Sequence, residues 1–591
     1  MHILTREEIF PDGEKLPSVE ELISEGISLA NEVTVGDCPF LSHYDVNSEV
    51  QYKQQRMAGG HIMLHGQIGF RSLEKSKRAY KEIYEKITEA GYRIDRYGIC
   101  LDWSMGYPRK SREGMPKGTG LILEDDADFA ALTRSAPVAP HFGDFVMGTP
   151  AALENTVAAL KAGSTSIGNI GQYFNFRMPH WNDDVTTTAE TVKALALCAA
   201  QPVDILIHSN LDDGFAALFC DLTCSIGAVL IEQYIVDELI GGRISHCYGH
   251  TFSDPLMRLA FQRALHDISN SPGSMVYGNT TIYGQNEIEN YANLASYILP
   301  DTIGQMTMPT GHGLNPVPVT EALRIPDIQE VIDAHLFANK LIDRAEGYVS
   351  LFDYQKIDKM KDQLIESGTQ FKNNVLRGLE AAGIDINNPF EILLSIRRVG
   401  AKKLEELFGP GEENEKEIRK RKPVIKATTV AELENKADEV ARYLSKEEQE
   451  IIFDKHYKAC VACTDVHEYG KVLLEAVFKK LKLNIIDAGV SSDPDFVAKK
   501  AHDNHASFVA ISTYNGVALD YIHKLRAELE DRNLKLPIFI GGKLNQVKDD
   551  DTSGLPVDVT SELRELGVIV CLSVENLLNE LVRMVQGARY D

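Results

Sequence analysis

Residues 458–489 read KACVACTDVHEYGKVLLEAVFKKLKLNIIDAG, and this stretch decides the fold of the C-terminal part of the chain. Two short apolar runs, KACVACT (458–464) and LNIIDAG (483–489), flank a segment with the apolar spacing of a helix, GKVLLEAVFKKLK. The same pattern continues through three further apolar runs, FVAISTY (508–514), LPIFIGG (536–542) and GVIVCLS (567–573). Apolar strands alternating with helices predict a flavodoxin-like (Rossmann-like) domain with a five-stranded parallel sheet. Such sheets bind ligands outside the carboxyl ends of their strands.

Residues 60–345 show a longer version of this alternation. Candidate strands are YRIDRYGICLD (92–102), VDILIHSN (203–210), ISHCYGHT (244–251), SMVYGNTT (274–281) and GQMTMPTGH (304–312). Candidate helices between them include PAALENTVAALKAG, TTTAETVKALALCAA and DPLMRLAFQRALHDI. Many βα units, with polar residues at the strand ends, predict an α/β protein whose catalytic domain is a TIM-barrel-like (β/α)8 fold.

The chain is therefore expected to contain three parts. Residues 1–407 form the barrel-like substrate and catalytic domain. Residues 408–454 form a solvated, charged linker, beginning GPGEENEKEIRKRKP, and a single lead-in helix. Residues 455–591 form the small doubly wound domain.

Bulk composition excludes several classes of function. A formal net charge of −25 over 591 residues repels phosphate backbones, so we expect no nucleic-acid partner. No window holds 18 uninterrupted apolar residues and the charged start MHILTREEIF does not resemble a signal peptide, so we expect neither a membrane span nor secretion. Nine scattered cysteines are typical of a cytoplasmic protein with reduced thiols. Cys460 and Cys463 form a CxxC inside an apparent strand, whose alternation directs them to opposite faces, so we expect no redox or zinc site there.

A short motif follows the first strand of the C-terminal domain. It runs from Asp465 through His467 to Gly470, and its pattern D-x-H-x-x-G resembles the signature of cobalamin-binding domains. The resemblance implies that His467 is the lower axial ligand of cobalt, in place of the cofactor's dimethylbenzimidazole. It also implies that Asp465 accepts a hydrogen bond from the other ring nitrogen, and that Gly470 lets the nucleotide tail pass close to the backbone. A bare response-regulator or FMN domain would explain the strands but not this histidine.

Small and hydroxylated residues follow the other strands, where the resemblance places the cofactor's displaced tail. The expected cofactor-binding residues are Ser512 and Thr513 after the third strand, Gly541 and Gly542 after the fourth, and Gly489, Ser491 and Ser492 after the second.

Three stretches of the barrel region resemble the catalytic subunit of glutamate mutase: residues 145–181, 244–265 and 306–323. A single chain with the cobalamin domain at its C-terminus is similar to 2-methyleneglutarate mutase. The resemblance implies an isomerase, an adenosylcobalamin-dependent carbon-skeleton mutase that works through a 5′-deoxyadenosyl radical and forms a homo-oligomer, a dimer or a tetramer. This chain departs from the family where arginines bind substrate carboxylates, at Val146 and Lys53, and where an acidic residue binds the amino group, at Gly168 or Asn169. These departures argue against glutamate as the substrate and leave a small carboxylic acid of another kind.

Candidate barrel residues were chosen from strand ends and the loops that follow them. The catalytic candidates are Tyr173, Arg177, His208, His246 and His250, with Arg177 as a carboxylate clamp because its planar fork binds both oxygens. The substrate-binding candidates are Lys53, Arg56 and Asn175, and His312 and Asn315 are expected near the adenosyl ribose. Each has a structural alternative: a surface salt bridge for the cations, and hydrogen bonding within a crowded barrel mouth for the histidines.

Two other functions remain open at this point. A corrinoid-dependent methyltransferase with a fused methyl-carrier domain would share the same D-x-H-x-x-G motif, because this domain does not encode the choice between an adenosyl and a methyl upper ligand. A non-catalytic B12 sensor is the third alternative, but it does not explain a large barrel with polar strand ends.

Overall fold

The computed structural model describes residues 4–115, 117–212, 214–249, 254–278, 282–465, 469–514, 516–547 and 556–587. The chain forms two compact units. The first comprises Met1–Glu113, Gly120–Asn175 and Asp183–Thr428, and the second comprises Gly114–Thr119, Phe176–Asn182 and Thr429–Asp591.

The first unit contains a nearly closed barrel of eight parallel strands. They are β1 (Met63–Ile68), β2 (Arg96–Ile99), β3 (Ala139–Phe142), β4 (Ser166–Ile167), β5 (Leu206–Asn210), β6 (Ile244–Tyr248), β7 (Met275–Val276) and β8 (Gly313–Leu314). Each pairs with the next from β1 to β7, and β8 pairs with β1. At the remaining junction, the Gly273 amide donates to the Thr310 carbonyl at 2.7 Å. This architecture confirms the predicted barrel.

Fifteen helices surround or extend the barrel. They are α1 (Arg6–Ile9), α2 (Val19–Leu29), α3 (Pro39–Tyr44), α4 (Glu49–Ala58), α5 (Leu73–Glu89), α6 (Asp126–Thr133), α7 (Ala152–Lys161), α8 (Gly171–Asn175), α9 (Asp184–Ala199), α10 (Leu222–Gln233), α11 (Pro255–Ile268), α12 (Glu287–Thr307), α13 (Ile328–Ile342), α14 (Tyr354–Ala381) and α15 (Pro389–Phe408). A π-helical turn, Tyr234–Ile240, extends α10, and 3-10 turns occupy Trp103–Gly106, Arg109–Ser111, Ala216–Leu218 and Ala345–Leu351.

The main apolar core of this unit lies between the strands and the helices. Outward strand residues such as Tyr97, Ile99 and Phe142 are fully buried in one cluster with Tyr80 and Ile83 of α5. Because side chains alternate along a strand, the residues between these point into the barrel, where polar side chains predominate.

One predicted strand is wrong. GQMTMPTGH was expected to be extended, but its first four residues are the last turn of α12, and the strand begins only at Gly313. The helix contains Pro300 and continues seven residues past it. Strands β1 and β3 were not predicted, because their inward positions hold His65, Gln67 and His141 and break the apolar pattern.

The charged segment after α15 differs from the solvated linker that its composition predicts. Arg421 donates to the carbonyls of Glu406, Leu407 and Gly411, and the Leu222 amide donates to the Ile425 carbonyl at 2.8 Å. These bonds hold the segment against the first unit. Two helices then follow in place of one, α16 (Thr428–Ala441) and α17 (Lys446–Asp454).

The second unit has a five-stranded parallel sheet in the order β10-β9-β11-β12-β15. Its strands are β9 (Lys458–Cys463), β10 (Asn484–Asp487), β11 (Phe508–Thr513), β12 (Ile538–Gly542) and β15 (Ile569–Cys571), and a short antiparallel pair is formed by β13 (Asn545–Gln546) and β14 (Val557–Asp558). The helices are α18 (Tyr469–Lys480), α19 (Pro494–Asp503), α20 (Ala518–Asp531), α21 (Thr560–Glu565) and α22 (Val574–Val585). Separate apolar clusters cover the two faces of the sheet, which confirms the predicted Rossmann-like domain. Within the described ranges of both units, no helix is long and apolar enough to cross a membrane.

Candidate functional site

The candidate cofactor residues of the second unit follow the carboxyl ends of adjacent strands. Asp465 follows β9, while Ser512 and Thr513 end β11. The parallel register pairs Ser512 with Gly541 and Thr513 with Gly542. These residues therefore meet at one edge of the sheet. His467 lies outside the described residues.

Hydrogen bonds fix the Asp465 side chain at the end of β9. Its carboxylate is fully buried and accepts from the Thr464 hydroxyl at 3.0 Å and from the Tyr514 amide at 2.9 Å. The Thr464 and Thr513 hydroxyl oxygens lie 2.9 Å apart, and the Ser491 amide donates to the Asp465 carbonyl at 3.1 Å. A carboxylate held in this way can orient an imidazole and raise its basicity as a ligand.

Glycines let neighbouring segments approach each other closely at this edge of the sheet. A Cβ at Gly470 would lie 2.5 Å from the Ser512 hydroxyl oxygen, and a Cβ at Gly542, where φ is +105°, would lie 2.1 Å from the Thr513 carbonyl oxygen. The Ser491 hydroxyl is buried without a hydrogen-bond partner in the described part of the chain. A narrow glycine-lined edge with an unused hydroxyl fits the nucleotide tail of a cobalamin.

Gly489 and Ser492 shape the loop after β10. Gly489 has a φ of +89°, and its carbonyl accepts from the Cys463 amide at 3.0 Å. Ser492 is buried, and its carbonyl accepts from the Tyr521 hydroxyl at 2.8 Å. The loop is thereby held close to the end of β9.

A polar cavity opens at the carboxyl ends of the barrel strands. Its lining comes from six strands, from the segments after β2, β3, β4 and β7, and from the residue before β8: His65, Gln67, Arg96, Gly98, Ile99, Cys100, His141, Gly143, Asp144, Asn169, His208, Asn210, Cys247, Met275, Tyr277 and His312. TIM barrels place their chemistry at this end, so the cavity is the candidate active site of the first unit.

Four histidines and one arginine form the floor of the cavity. The ring centroids of His141 and His208 lie 4.9 Å apart, and His312 lies 5.7 Å from His65 and 5.8 Å from His208. The Arg96 guanidinium contacts ring nitrogens of His65 at 3.4 Å and His312 at 3.2 Å. Burial lowers the pKa of each floor histidine well below its usual value; the positive charge of Arg96 adds to the shift, as does that of Lys53 for every ring but His141. The four rings are therefore neutral at pH 7.

The buried carboxylate of Glu49 offsets the positive charge of Arg96. Glu49 Oε1 lies 2.9 Å from Arg96 Nε and 3.0 Å from Lys53 Nζ, and all three side chains are at most 3% exposed. Burial lowers the pKa of Lys53, while Glu49 opposes that shift. Lys53, a predicted substrate-binding residue, is thus buried in this ion network and does not line the cavity.

The predicted catalytic histidines take three different positions. His208 lines the cavity, and its Nδ1 lies 3.2 Å from the Ser245 hydroxyl. His246 lies on the outer face of β6, where its Nε2 is 3.0 Å from Glu232 of α10. The alternation along β6 accounts for this, since Cys247 is the residue that points into the cavity. His250 lies outside the described residues.

Other predicted barrel residues lie away from the cavity lining. Tyr173 is buried and its hydroxyl lies 2.7 Å from that of Thr188, and Arg177 is exposed in a segment that belongs to the second unit. Asn175 abuts Gly214 at the end of α8, and the Arg56 guanidinium lies over the Tyr52 ring.

Only one of the two residues expected near the adenosyl ribose lines the cavity. His312 lines the cavity, whereas Asn315 is buried outside the cavity lining, with an amide nitrogen that has no partner among the described residues.

Sequence reasoning missed three floor residues, His65, Arg96 and His141. The sequence feature that could have indicated strands there is the period-two alternation in MLHGQI and APHF, where a polar residue stands between two apolar ones. That pattern is also typical of a strand with one face in solvent, and only barrel closure turns the polar face inward.

Comparison with known proteins identifies the second unit. Residues 459–561 match the family model described as the B12 binding domain. The chain therefore carries a C-terminal B12-binding domain in addition to an eight-stranded parallel barrel, and it is a cobalamin-dependent protein. A cavity at the active-site end of the barrel fits a cobalamin-dependent enzyme.

Proposed function

We propose that this protein is an adenosylcobalamin-dependent radical isomerase, a carbon-skeleton mutase acting on a small carboxylic acid of the 2-methyleneglutarate kind. One observation carries the proposal: the three stretches that resemble glutamate mutase all contribute to the same cavity. Asn169 comes from the first stretch, Cys247 from the second and His312 from the third. The resemblance therefore concerns one site and not scattered similarities.

Residues at the edge of the second sheet would hold the cofactor. His467 would ligate cobalt, Asp465 would fix its ring, and the Gly470 and Gly542 backbones would admit the tail. Bound adenosylcobalamin supplies a 5′-deoxyadenosyl radical by homolysis of its cobalt–carbon bond.

The barrel residues would bind the substrate and exclude water. Arg96 is the only lysine or arginine among the described lining residues, and it gives the floor a positive potential that suits a carboxylic acid. The Asn169 side-chain oxygen accepts from the Gly171 amide at 3.0 Å and the Asn210 amide at 2.7 Å. An amide already used in this way offers no negative charge to an ammonium group, which supports a substrate other than an α-amino acid.

The test is electron paramagnetic resonance of the full chain reconstituted with adenosylcobalamin. Samples frozen after mixing with a panel of branched acids and diacids, including 2-methyleneglutarate, should give a coupled cobalt–radical signal only with a substrate. His208→Gln should weaken that signal, whereas His335→Gln changes a buried histidine of α13 outside the cavity lining and should preserve it. No signal across the panel, together with methyl transfer from bound methylcobalamin, would instead establish the methyltransferase alternative.

A further inference from the structure

We infer that the cavity floor is built to hold a neutral group that both accepts and donates a hydrogen bond, an alcohol hydroxyl of the substrate, between His65 and His141. This inference deepens the proposed function, and it rests on that function only in taking the barrel cavity as the substrate site. The argument begins with the position of the proton on each ring.

Arg96 fixes two of the tautomers. A guanidinium can only donate hydrogen bonds, so the nitrogens that it contacts, His65 Nδ1 and His312 Nε2, must carry lone pairs. In a neutral ring the other nitrogen then carries the proton, which places hydrogens on His65 Nε2 and His312 Nδ1. The contact of 2.6 Å between His312 Nδ1 and the Gly313 carbonyl oxygen agrees with this assignment.

The Ser166 carbonyl fixes His141 in the opposite tautomer. His141 Nδ1 lies 3.1 Å from this oxygen, which can only accept, and 3.0 Å from the Ser166 hydroxyl oxygen, which accepts from Arg96 and can accept a second hydrogen bond. Nδ1 therefore carries the proton, and Nε2 of the neutral ring carries a lone pair.

No side chain covers the Nε2 atoms of His65 and His141 at Gly98 and Gly143, because glycine has no Cβ. A Cβ at Gly98 would lie 2.9 Å from His65 Nε2, and a Cβ at Gly143 would lie 2.6 Å from His141 Nε2. All four residues line the cavity. Neither Nε2 has a protein hydrogen-bond partner among the residues that the structure describes, so the floor offers one donor and one acceptor to a ligand.

A hydroxyl suits such a donor and acceptor pair, because its oxygen can accept from an N–H and its hydrogen can be donated to a lone pair. A carboxylate can only accept and would meet the lone pair of His141, and an ammonium can only donate and would meet the N–H of His65. Arg96 has little left to offer a carboxylate, since it forms an ion pair with Glu49 and already donates to two histidines and the Ser166 hydroxyl. It is a positioning residue, and the substrate class is a hydroxy acid whose carboxylate lies above the floor, which narrows the proposed carboxylic acids to hydroxylated ones and excludes 2-methyleneglutarate itself.

The test uses nitrogen-15 NMR of the adenosylcobalamin-loaded full chain labelled at histidine, with His65→Gln and His141→Gln to assign the signals. We expect His65 protonated at Nε2 and His141 at Nδ1. Arg96→Lys keeps the positive charge but removes the planar set of guanidinium donors. In this variant the His65 ring should populate both neutral tautomers, and the tautomer of His141 should not change. The same tautomer in both histidines, or no response of His65 to Arg96→Lys, would overturn the inference.

Binding of a matched pair of probes tests the ligand. 3-Hydroxybutyrate and butyrate share a carboxylate and differ in one hydroxyl. The hydroxy acid should bind roughly tenfold more tightly, as two buried hydrogen bonds allow, and should shift both Nε2 signals. Equal or weaker binding of the hydroxy acid, or no shift at either nitrogen, would refute a hydroxyl site. These readouts need no turnover, so failure of the radical signal alone would remove the mutase proposal and leave the hydroxyl site in place.

Discussion

Glu49→Gln is the substitution with the best-defined energetic consequence. It removes the carboxylate that Arg96 and Lys53 share and leaves two buried cations in contact with a neutral amide. Lys53 can remove one of the two positive charges by releasing its proton, and the free energy of that release is the upper limit on the loss of stability. Releasing a proton at pH 7 from a group whose usual pKa is 10.5 costs about 5 kcal/mol, at 1.36 kcal/mol per pKa unit. We therefore expect the barrel to lose about 3–5 kcal/mol of stability at pH 7.

The pH dependence of that loss identifies its cause. In the variant the pKa of Lys53 in the folded state lies below its unfolded value, so the unfolded chain binds more protons and stability rises with pH. The upper limit on the loss of stability falls to about 2 kcal/mol at pH 9.

Urea denaturation can follow the barrel alone. The chain has two tryptophans, of which Trp103 is buried in the first unit and Trp181 belongs to the second. In a Trp181→Phe background, fluorescence reports on Trp103. A loss under about 1 kcal/mol, or one that does not shrink between pH 7 and pH 9, would refute the reasoning about the buried ion network.

Three further predictions concern other parts of the molecule. Gly542→Ala should destabilise the B12-binding domain by more than about 2 kcal/mol and weaken cobalamin binding in equilibrium dialysis, because its Cβ would meet the Thr513 carbonyl oxygen at 2.1 Å. Gly587→Ala, with a φ of +96° but open space around it, is the control and should cost less; equal losses would contradict the steric argument. Asp465→Asn should lower cobalamin affinity about 10–100-fold in the same dialysis, since in the proposed function the buried carboxylate orients the cobalt ligand, and unchanged affinity would remove that role. Burial raises the pKa of Glu405 to about 7 from its usual 4.5, so barrel stability should fall by about 3 kcal/mol as pH rises through that interval, and Glu405→Gln should flatten the urea-derived profile.

The sequence predicted the B12-binding domain well because its strands are continuous apolar runs bounded by turns. LPIFIGG and FVAISTY, for example, fall on β12 and β11 within two residues. Such runs occur where a parallel sheet is covered on both faces, and few other structures share the pattern.

The barrel was harder to predict because its interior is polar. His246 and Cys247 are neighbours on β6, and only the phase of the alternation decides which of them enters the cavity. GQMTMPTGH has the composition of a strand end, yet packing extends α12 through it. The charged composition of the segment after Phe408 also resembles that of a linker. In the structure, Arg421 of this segment donates to two carbonyls in the last turn of α15, which would otherwise lack hydrogen-bond partners.

The central claim is that an imidazole of this chain holds the cobalt of a cobalamin. The most direct measurement is the electron paramagnetic resonance spectrum of cob(II)alamin bound to protein labelled with nitrogen-15 at histidine. A cobalt-bound histidine nitrogen should change each three-line nitrogen splitting into two lines, and His467→Ala should abolish that change. Three-line splitting that persists in the labelled protein would show that cobalt keeps the cofactor's own base, and it would contradict the account.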